Sequence, residues 1–359
     1  MSSQQVAPRK SARTRTLALV AAGVLAAAGI TGLAVRGAAA DPTLPPLTPA
    51  ELLGKVAAAQ VDGLSATFEQ RSDLGLPALP SDLGDAGNDL SSALSLLTGT
   101  HTVRVWLAAP DKAKVALVDG TTESSITRNG SDVWAWSSTK QEAVHSTLDA
   151  RGPKPARTPT SPSTAIKDLL DKLSPSTDVA TSGTGYVAGR AVYQLLLTPK
   201  DEDTLVSQVR VSIDSERFVP LGLRVIADDG QDAVTVAATY VDYGVPAASL
   251  FDFQPPTGVT VTEHKADGSK PSKVGGKPAT RPKTSGSGWA TVAVMRVRQT
   301  GKDDQQAKVL LDSLPVVSGA WGKGRLLSTS LVNAVVTDDG RIAVGSVVPE
   351  RLYQALAAK

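Results

Sequence analysis

VDGLSATFEQRSDLGLPALP, residues 61–80, is the stretch in which the periodicity of the chain changes. Upstream of it, residues 48–60 place apolar side chains on one face at helical spacing. After Gly63, the side chains of Leu64, Ala66 and Phe68 alternate with polar ones, which is the two-residue period of a strand. The sequence therefore predicts a helix that leads into a half-buried strand, as at the start of an antiparallel α+β domain.

Further alternating stretches follow between residues 102 and 243. Turn signals separate them about every ten residues, a spacing typical of antiparallel sheets. One of these signals, Asn129-Gly130, favours a tight hairpin because both residues accept positive φ. A sheet of many such strands must curl and bury one face.

The amino-acid sequences of several stretches indicate a family more specifically than their periodicity does. They are AQVDGLSATFEQ (59–70), RNGSDVWAWSSTKQEAVH (128–145), VAGRAVYQLLLTPK (187–200) and FDFQPPTGVTV (251–261). In this order they resemble the LolA-type lipoprotein carriers and the N-terminal domain of the RseB/MucB-type sigma-factor regulatory proteins. The resemblance covers about residues 48–261. It implies a curved antiparallel sheet that forms an incomplete β-barrel, with helices covering its mouth and acyl chains bound in a hydrophobic cavity.

Two predicted helices are candidates to cover that cavity. Residues 85–97 form either an ordinary packing helix or a lid over the cavity. Residues 164–173 form a helix that can fill the cavity of the curved sheet. The apolar faces of the alternating strands, this second helix and the aromatic hairpin together predict the lining of the cavity. Trp134 and Trp136 are alternatively core or rim aromatics. The predicted lining consists of Phe68, Val103, Val105, Leu107, Val115, Leu117, Trp134, Trp136, Ile166 and Leu170.

The N-terminus, residues 1–40, predicts export. Four basic residues precede an apolar run at residues 17–35, which as a helix spans roughly 28 Å, close to the thickness of a bilayer core. The basic flank predicts a cytoplasmic N-terminus and an extracytoplasmic body. Ala38-Ala-Ala40 matches a signal-peptide cleavage site, so a secreted protein and one anchored to the cell membrane both remain open.

The C-terminal part divides into a linker and a small domain. Residues 262–287 are rich in Lys, Gly, Pro, Ser and Thr, which predicts a flexible basic linker after the domain of residues 41–261. Residues 288–359 predict a small α/β domain with strands at 289–297, 326–337 and 341–347 and helices at 304–314 and 349–358. RseB/MucB-type proteins have such a domain, whereas the simple carriers usually lack it.

The composition argues against catalysis. The chain has 359 residues, no cysteine, three histidines and a net charge of +2, which favours neither a thiolate metal site nor nucleic-acid binding. No nucleophile, metal-ligand or phosphate-loop motif has the required spacing, so we expect no enzyme activity and no cofactor. The sequence predicts a binding protein for lipid or lipoprotein acyl chains. The alternative is an envelope-stress regulator that binds a membrane-bound anti-sigma factor, and a hydrolase is a remote alternative.

Overall fold

The computed structural model describes residues 41–76, 98–148, 175–265, 282–296 and 311–358. Its first element is helix α1 (Pro49–Ala58), which begins at a capping box. The Glu51 amide donates to Thr48 Oγ1 at 3.3 Å, and the Thr48 amide donates to the Glu51 carboxylate at 2.8 Å. Leu52 of this helix is fully buried against Tyr193, Leu195 and Ile213. The predicted helix is thus confirmed, and its apolar face fixes it to the sheet.

A twelve-stranded sheet forms the body of the molecule. Its strands are β1 (Gly63–Ser72), β2 (Gly99–Ala108), β3 (Lys112–Asp119), β4 (Thr122–Asn129), β5 (Asp132–Ser137), β6 (Glu142–Thr147), β7 (Thr177–Val187), β8 (Arg190–Pro199), β9 (Val206–Asp214), β10 (Pro220–Ala227), β11 (Asp232–Asp242) and β12 (Thr260–Lys265). Their spatial order is β12-β6-β5-β4-β3-β2-β1-β11-β10-β9-β8-β7, and the sheet is curved and open. The predicted incomplete barrel is confirmed, with one addition: β12 pairs with β6 in parallel.

A connection between β11 and β12 carries the chain from the middle of the sheet to its edge. We call residues 243–259 the crossing segment; a 3₁₀ turn within it, Ala248–Phe251, packs against β3 and β4. The backbone of Gly244 and Val245 lies so close to β1 that a Cβ on Gly63 would be 2.4 Å from Val245 Cα. Gly63, at the start of β1, is therefore required because the crossing segment passes too close to leave room for a side chain.

A second, six-stranded sheet forms the C-terminal unit, in the order β13-β14-β18-β17-β16-β15. Helix α2 (Pro349–Ala357) packs on it and buries Leu352 and Leu356 against Val335 and Ala343. Residues 326–337, predicted as one strand, instead turn between β16 and β17. The strands are β13 (Lys283–Ser285), β14 (Val292–Arg296), β15 (Val316–Gly319), β16 (Gly322–Ser328), β17 (Asn333–Thr337) and β18 (Arg341–Gly345).

The two sheets contact each other at the loop between β8 and β9. The Leu205 amide donates to the Ser346 carbonyl at 3.0 Å, and the Val348 amide donates to the Asp203 carbonyl at 2.9 Å. Trp289 Nε1 donates to Thr177 Oγ1 at 2.7 Å. These directional bonds hold the small sheet near one end of the large one.

Several sequence predictions fall outside the described residues: the apolar run at 17–35, the helices at 85–97 and 164–173, and most of 304–314. No described helix is both long and apolar enough to cross a bilayer. Ordered strands reach into the predicted linker from both sides, since β12 extends to Lys265 and β13 begins at Lys283.

Candidate functional site

The strand register shows which side chains share a face of the large sheet. Directly paired residues on neighbouring strands point to the same side. Leu195 of β8 packs against α1. From Leu195, one residue of each strand pairs directly with one residue of the next, from β8 to β2. The row consists of Leu195, Val211, Leu223, Val236, Gln70 and His101. This defines the α1 face of the sheet.

A row of apolar side chains crosses the α1 face over β1 to β6. Six of the predicted lining residues lie on this face; they are Phe68, Val103, Val105, Leu107, Val115 and Leu117. The same face continues onto Ile126, Ala135 and Val144 of the next three strands. All nine side chains are half-buried. Helix α1 packs at the other end of the sheet, over β7 to β9.

Trp134 and Trp136 lie on the opposite face. Trp134 pairs with Thr127, which pairs with Lys114, the neighbour of Val115 along β3. The prediction that both tryptophans line the same face as the valines and leucines is therefore wrong. The reason is that side chains alternate between the two faces along β3 to β5. Ile166 and Leu170 lie outside the described residues.

The tryptophans instead contact the crossing segment. The ring centroids of Trp134 and Phe253 are 5.3 Å apart, and those of Trp136 and Phe253 are 6.2 Å apart. Asn129 Nδ2 donates to Asp252 Oδ1 at 2.8 Å. A cavity of about 350 Å³ lies here, between β4, β5 and the crossing segment. Trp134 also stacks on His145, with ring centroids 4.3 Å apart.

His145 joins three strands through its two ring nitrogens. Nε2 lies 2.9 Å from Asp132 Oδ1 on β5, and Nδ1 lies 2.9 Å from Glu263 Oε2 on β12. Because a carboxylate only accepts, both bonds form together only when the imidazole is protonated on both nitrogens. Burial lowers the pKa of His145, but the hydrogen bonds to Asp132 and Glu263 outweigh burial and raise the pKa above its ordinary 6.5. A protonated His145 thus clamps the parallel edge strand β12 to the sheet.

A second charged cluster is structural. Asp214 is fully buried at the end of β9, where it accepts from Arg190 Nε, from Tyr243 Oη at 2.9 Å and from the amide of Arg217 at 2.9 Å. Burial raises the pKa of Asp214, and these bonds, led by that of Arg190, more than reverse the effect. The cluster ties the start of the crossing segment to the turn after β9.

The sequence predicts no metal ion, and the acidic and histidine side chains of the described residues form no metal-binding group. No three His, Asp or Glu side chains of the described residues converge in a way that would hold a metal ion. The arrangement around His145 is saturated by its two carboxylates and gives no position for a nucleophile.

Sequence reasoning missed the His145 clamp. Its partner Glu263 is 118 residues away, in a stretch predicted to be linker. Only the parallel pairing of β12 with β6 brings the two side chains together.

Comparison with solved structures returns both groups that the sequence resembles. A scan against protein-family models finds no match, and neither does a search of curated proteins. The complex of MucA and MucB from Pseudomonas aeruginosa is similar over 86% of this chain and 96% of that chain, with 15% identity and a TM-score of 0.45. A LolA superfamily protein from Nitrosomonas europaea is similar over 58% of this chain and 99% of that chain, with 11% identity and a TM-score of 0.23.

Proposed function

We propose that the protein is an extracytoplasmic, non-catalytic binding protein that holds acyl chains of a lipid or lipoprotein against the α1 face of β1 to β6. The observation that carries this proposal is a row of apolar side chains that continues across six strands of that face, buried at β1 and half-buried from β2 to β6: Ala66, Val105, Val115, Ile126, Ala135 and Val144. The export pattern at residues 1–40 and the sequence resemblance to the LolA-type carriers agree with it.

Acyl-chain binding needs no reactive group. Each methylene that leaves water contributes about 0.8 kcal/mol, so a long chain binds by burial alone. The face that receives it has to be apolar and continuous, and charged side chains on it would be costly to desolvate. On β2 and β3, Arg104, Lys112 and Lys114 lie on the other face. The charged residues of the α1 face on β3 and β4, Asp119 and Arg128, lie near the ends of their strands, which leaves its middle row suited to hydrocarbon.

The experiment measures binding of a fluorescent fatty acid together with thermal unfolding. Val105→Ser and Val115→Ser place a hydroxyl on the α1 face, whereas Val118→Ser makes the same change on the opposite face of β3. We expect the first two variants to bind several-fold more weakly while remaining folded, and Val118→Ser to bind as the wild type does. Equal binding by all three, or no binding by the folded wild type, would contradict the proposal.

A second candidate function is regulatory: binding of a membrane-bound anti-sigma factor, as in RseB/MucB-type proteins. The observation that favours it is the C-terminal sheet, which is docked on the body through Ser346, Val348 and Trp289. Such a fixed second unit is unnecessary for a simple carrier. A pull-down of membrane proteins with the wild type and with Trp289→Phe, which removes the hydrogen bond to Thr177, tests this. Unchanged capture, or no capture at all, argues against it.

A further inference from the structure

The face opposite α1 carries two arginines at the centre of the β9–β10 pair. Arg210 and Arg224 are direct register partners, so their side chains leave the sheet side by side on one face. Like charges placed directly opposite each other on neighbouring strands destabilise a sheet. An arrangement of this kind is favourable only where negative charge compensates it.

The described residues compensate it incompletely. Arg224 Nε is 3.5 Å from Asp232 Oδ2, and both side chains are nearly half exposed, so this ion pair is weak. Arg210 Nη2 donates to the neutral amide oxygen of Gln208 at 3.0 Å. Arg210 Nε is buried and has no hydrogen-bond partner among the described residues. A buried guanidinium N–H without an acceptor is costly, which points to an acceptor supplied by a ligand.

The surroundings favour an oxyanion. Arg71 lies in the same cross-strand row, reached through Thr235 of β11, and is exposed. The adjacent row on this face, toward the end of β9 and the start of β10, has small side chains at Ser212, Gly222 and Ala237, which leave space beside the two paired guanidinium groups. On β1 this row continues as Glu69, two strands away from Gly222. Planar guanidinium forks bind tetrahedral oxyanions through paired N–H donors.

We propose that Arg210 and Arg224 form a binding site for a phosphate-type oxyanion on the face opposite α1, with Arg71 two strands from Arg224 in the same row. The oxyanion accepts from Arg210 Nε and from the Arg224 guanidinium and offsets the repulsion between them. Inorganic phosphate and the phosphodiester of a lipid headgroup share this chemistry. The site is separate from the acyl-binding face and does not depend on the proposed function.

The test compares the full chain in phosphate and in chloride at equal ionic strength. We expect phosphate to raise the Tm of the wild type more than chloride does. In calorimetry with inorganic phosphate, Arg224→Gln is expected to weaken binding about tenfold, the loss that corresponds to one charge-assisted hydrogen bond. Arg104→Gln is the matched control, because it removes the same charge from an exposed position on the same face of β2.

A second arm distinguishes the two sources of phosphate. The same variants are sedimented with vesicles of phosphatidylglycerol and, separately, of phosphatidylcholine. Binding to phosphatidylglycerol that is lost in Arg224→Gln and kept in Arg104→Gln assigns the site to a headgroup, whereas a response to inorganic phosphate alone assigns it to the free ion. If Arg224→Gln loses its near-UV circular dichroism, Arg71→Gln replaces it. No response in either arm, or equal losses in Arg104→Gln, overturns the proposal.

Discussion

Strand β12 is expected to be held most firmly at acidic pH, because its side-chain bond to the sheet requires a protonated imidazole. His145 is 18% exposed, and both its nitrogens lie 2.9 Å from carboxylate oxygens. When the imidazole loses a proton, one nitrogen presents a lone pair to a carboxylate, and one of the two charge-assisted bonds is lost. Stacking on Trp134 also favours the cationic ring.

The magnitude follows from the exposure of the partners. The carboxylates of Asp132 and Glu263 are 50% and 59% exposed, so water screens each pair and the loss is about 1 kcal/mol. That corresponds to a roughly fivefold larger population of the opened edge. Because the pKa of His145 is raised in the folded protein, the stabilisation is complete below the ordinary value of 6.5 and is lost as pH rises through the raised pKa.

The assay is amide hydrogen exchange of the peptide that contains residues 260–265, corrected for the intrinsic rate at each pH. In the wild type, protection of β12 is expected to fall between mildly acidic and mildly alkaline pH, by about fivefold more than it falls in Glu263→Gln. Protection of β14, the control strand, is expected to change equally in both proteins. An NMR titration supplies the pKa directly, with His145→Gln to assign the resonance. A His145 pKa at or below its ordinary value, or one that Glu263→Gln leaves unchanged, would refute the reasoning.

Three further substitutions test the packing of the body by chemical denaturation. Gly63→Ala places a methyl group against the Val245 backbone and is expected to cost about 1–3 kcal/mol of unfolding free energy; an unchanged midpoint would show that the crossing segment moves aside. Asp214→Asn removes the buried carboxylate that compensates Arg190 and accepts from Tyr243, and is expected to cost about 3 kcal/mol, against less than about 1 kcal/mol for the exposed Glu216→Gln, and equal losses would contradict this. Leu52→Ala is expected to cost about 2–5 kcal/mol, since its side chain is fully buried, and a smaller loss would mean that α1 is not fixed by that side chain.

Much of the architecture follows from local patterns. Alternation of side chains and the turn residues between the strands locate β1 to β11 and their antiparallel meander, because both depend on neighbours in the chain. The helical spacing of apolar side chains over residues 48–60 likewise locates α1. The nonpolar side chains of β2 and β3 could be assigned to one face because the alternate positions carry Arg104, Lys112 and Lys114, which are costly to bury unpaired. The tryptophans of β5 were assigned to the wrong face because alternation within one strand does not show which of its residues share a face with residues of the next strand.

The sequence by itself determined β1 to β11, the first helix and the apolar stripes of the individual strands, since these depend on periodicity over a few residues. The tertiary structure alone decided which stripes share a face, and it alone placed β12 in parallel beside β6. It also brought His145 to Glu263 and set Arg210 directly opposite Arg224. The physical reason is that register and long-range pairing arise from the sum of contacts across the whole sheet, which no short stretch encodes.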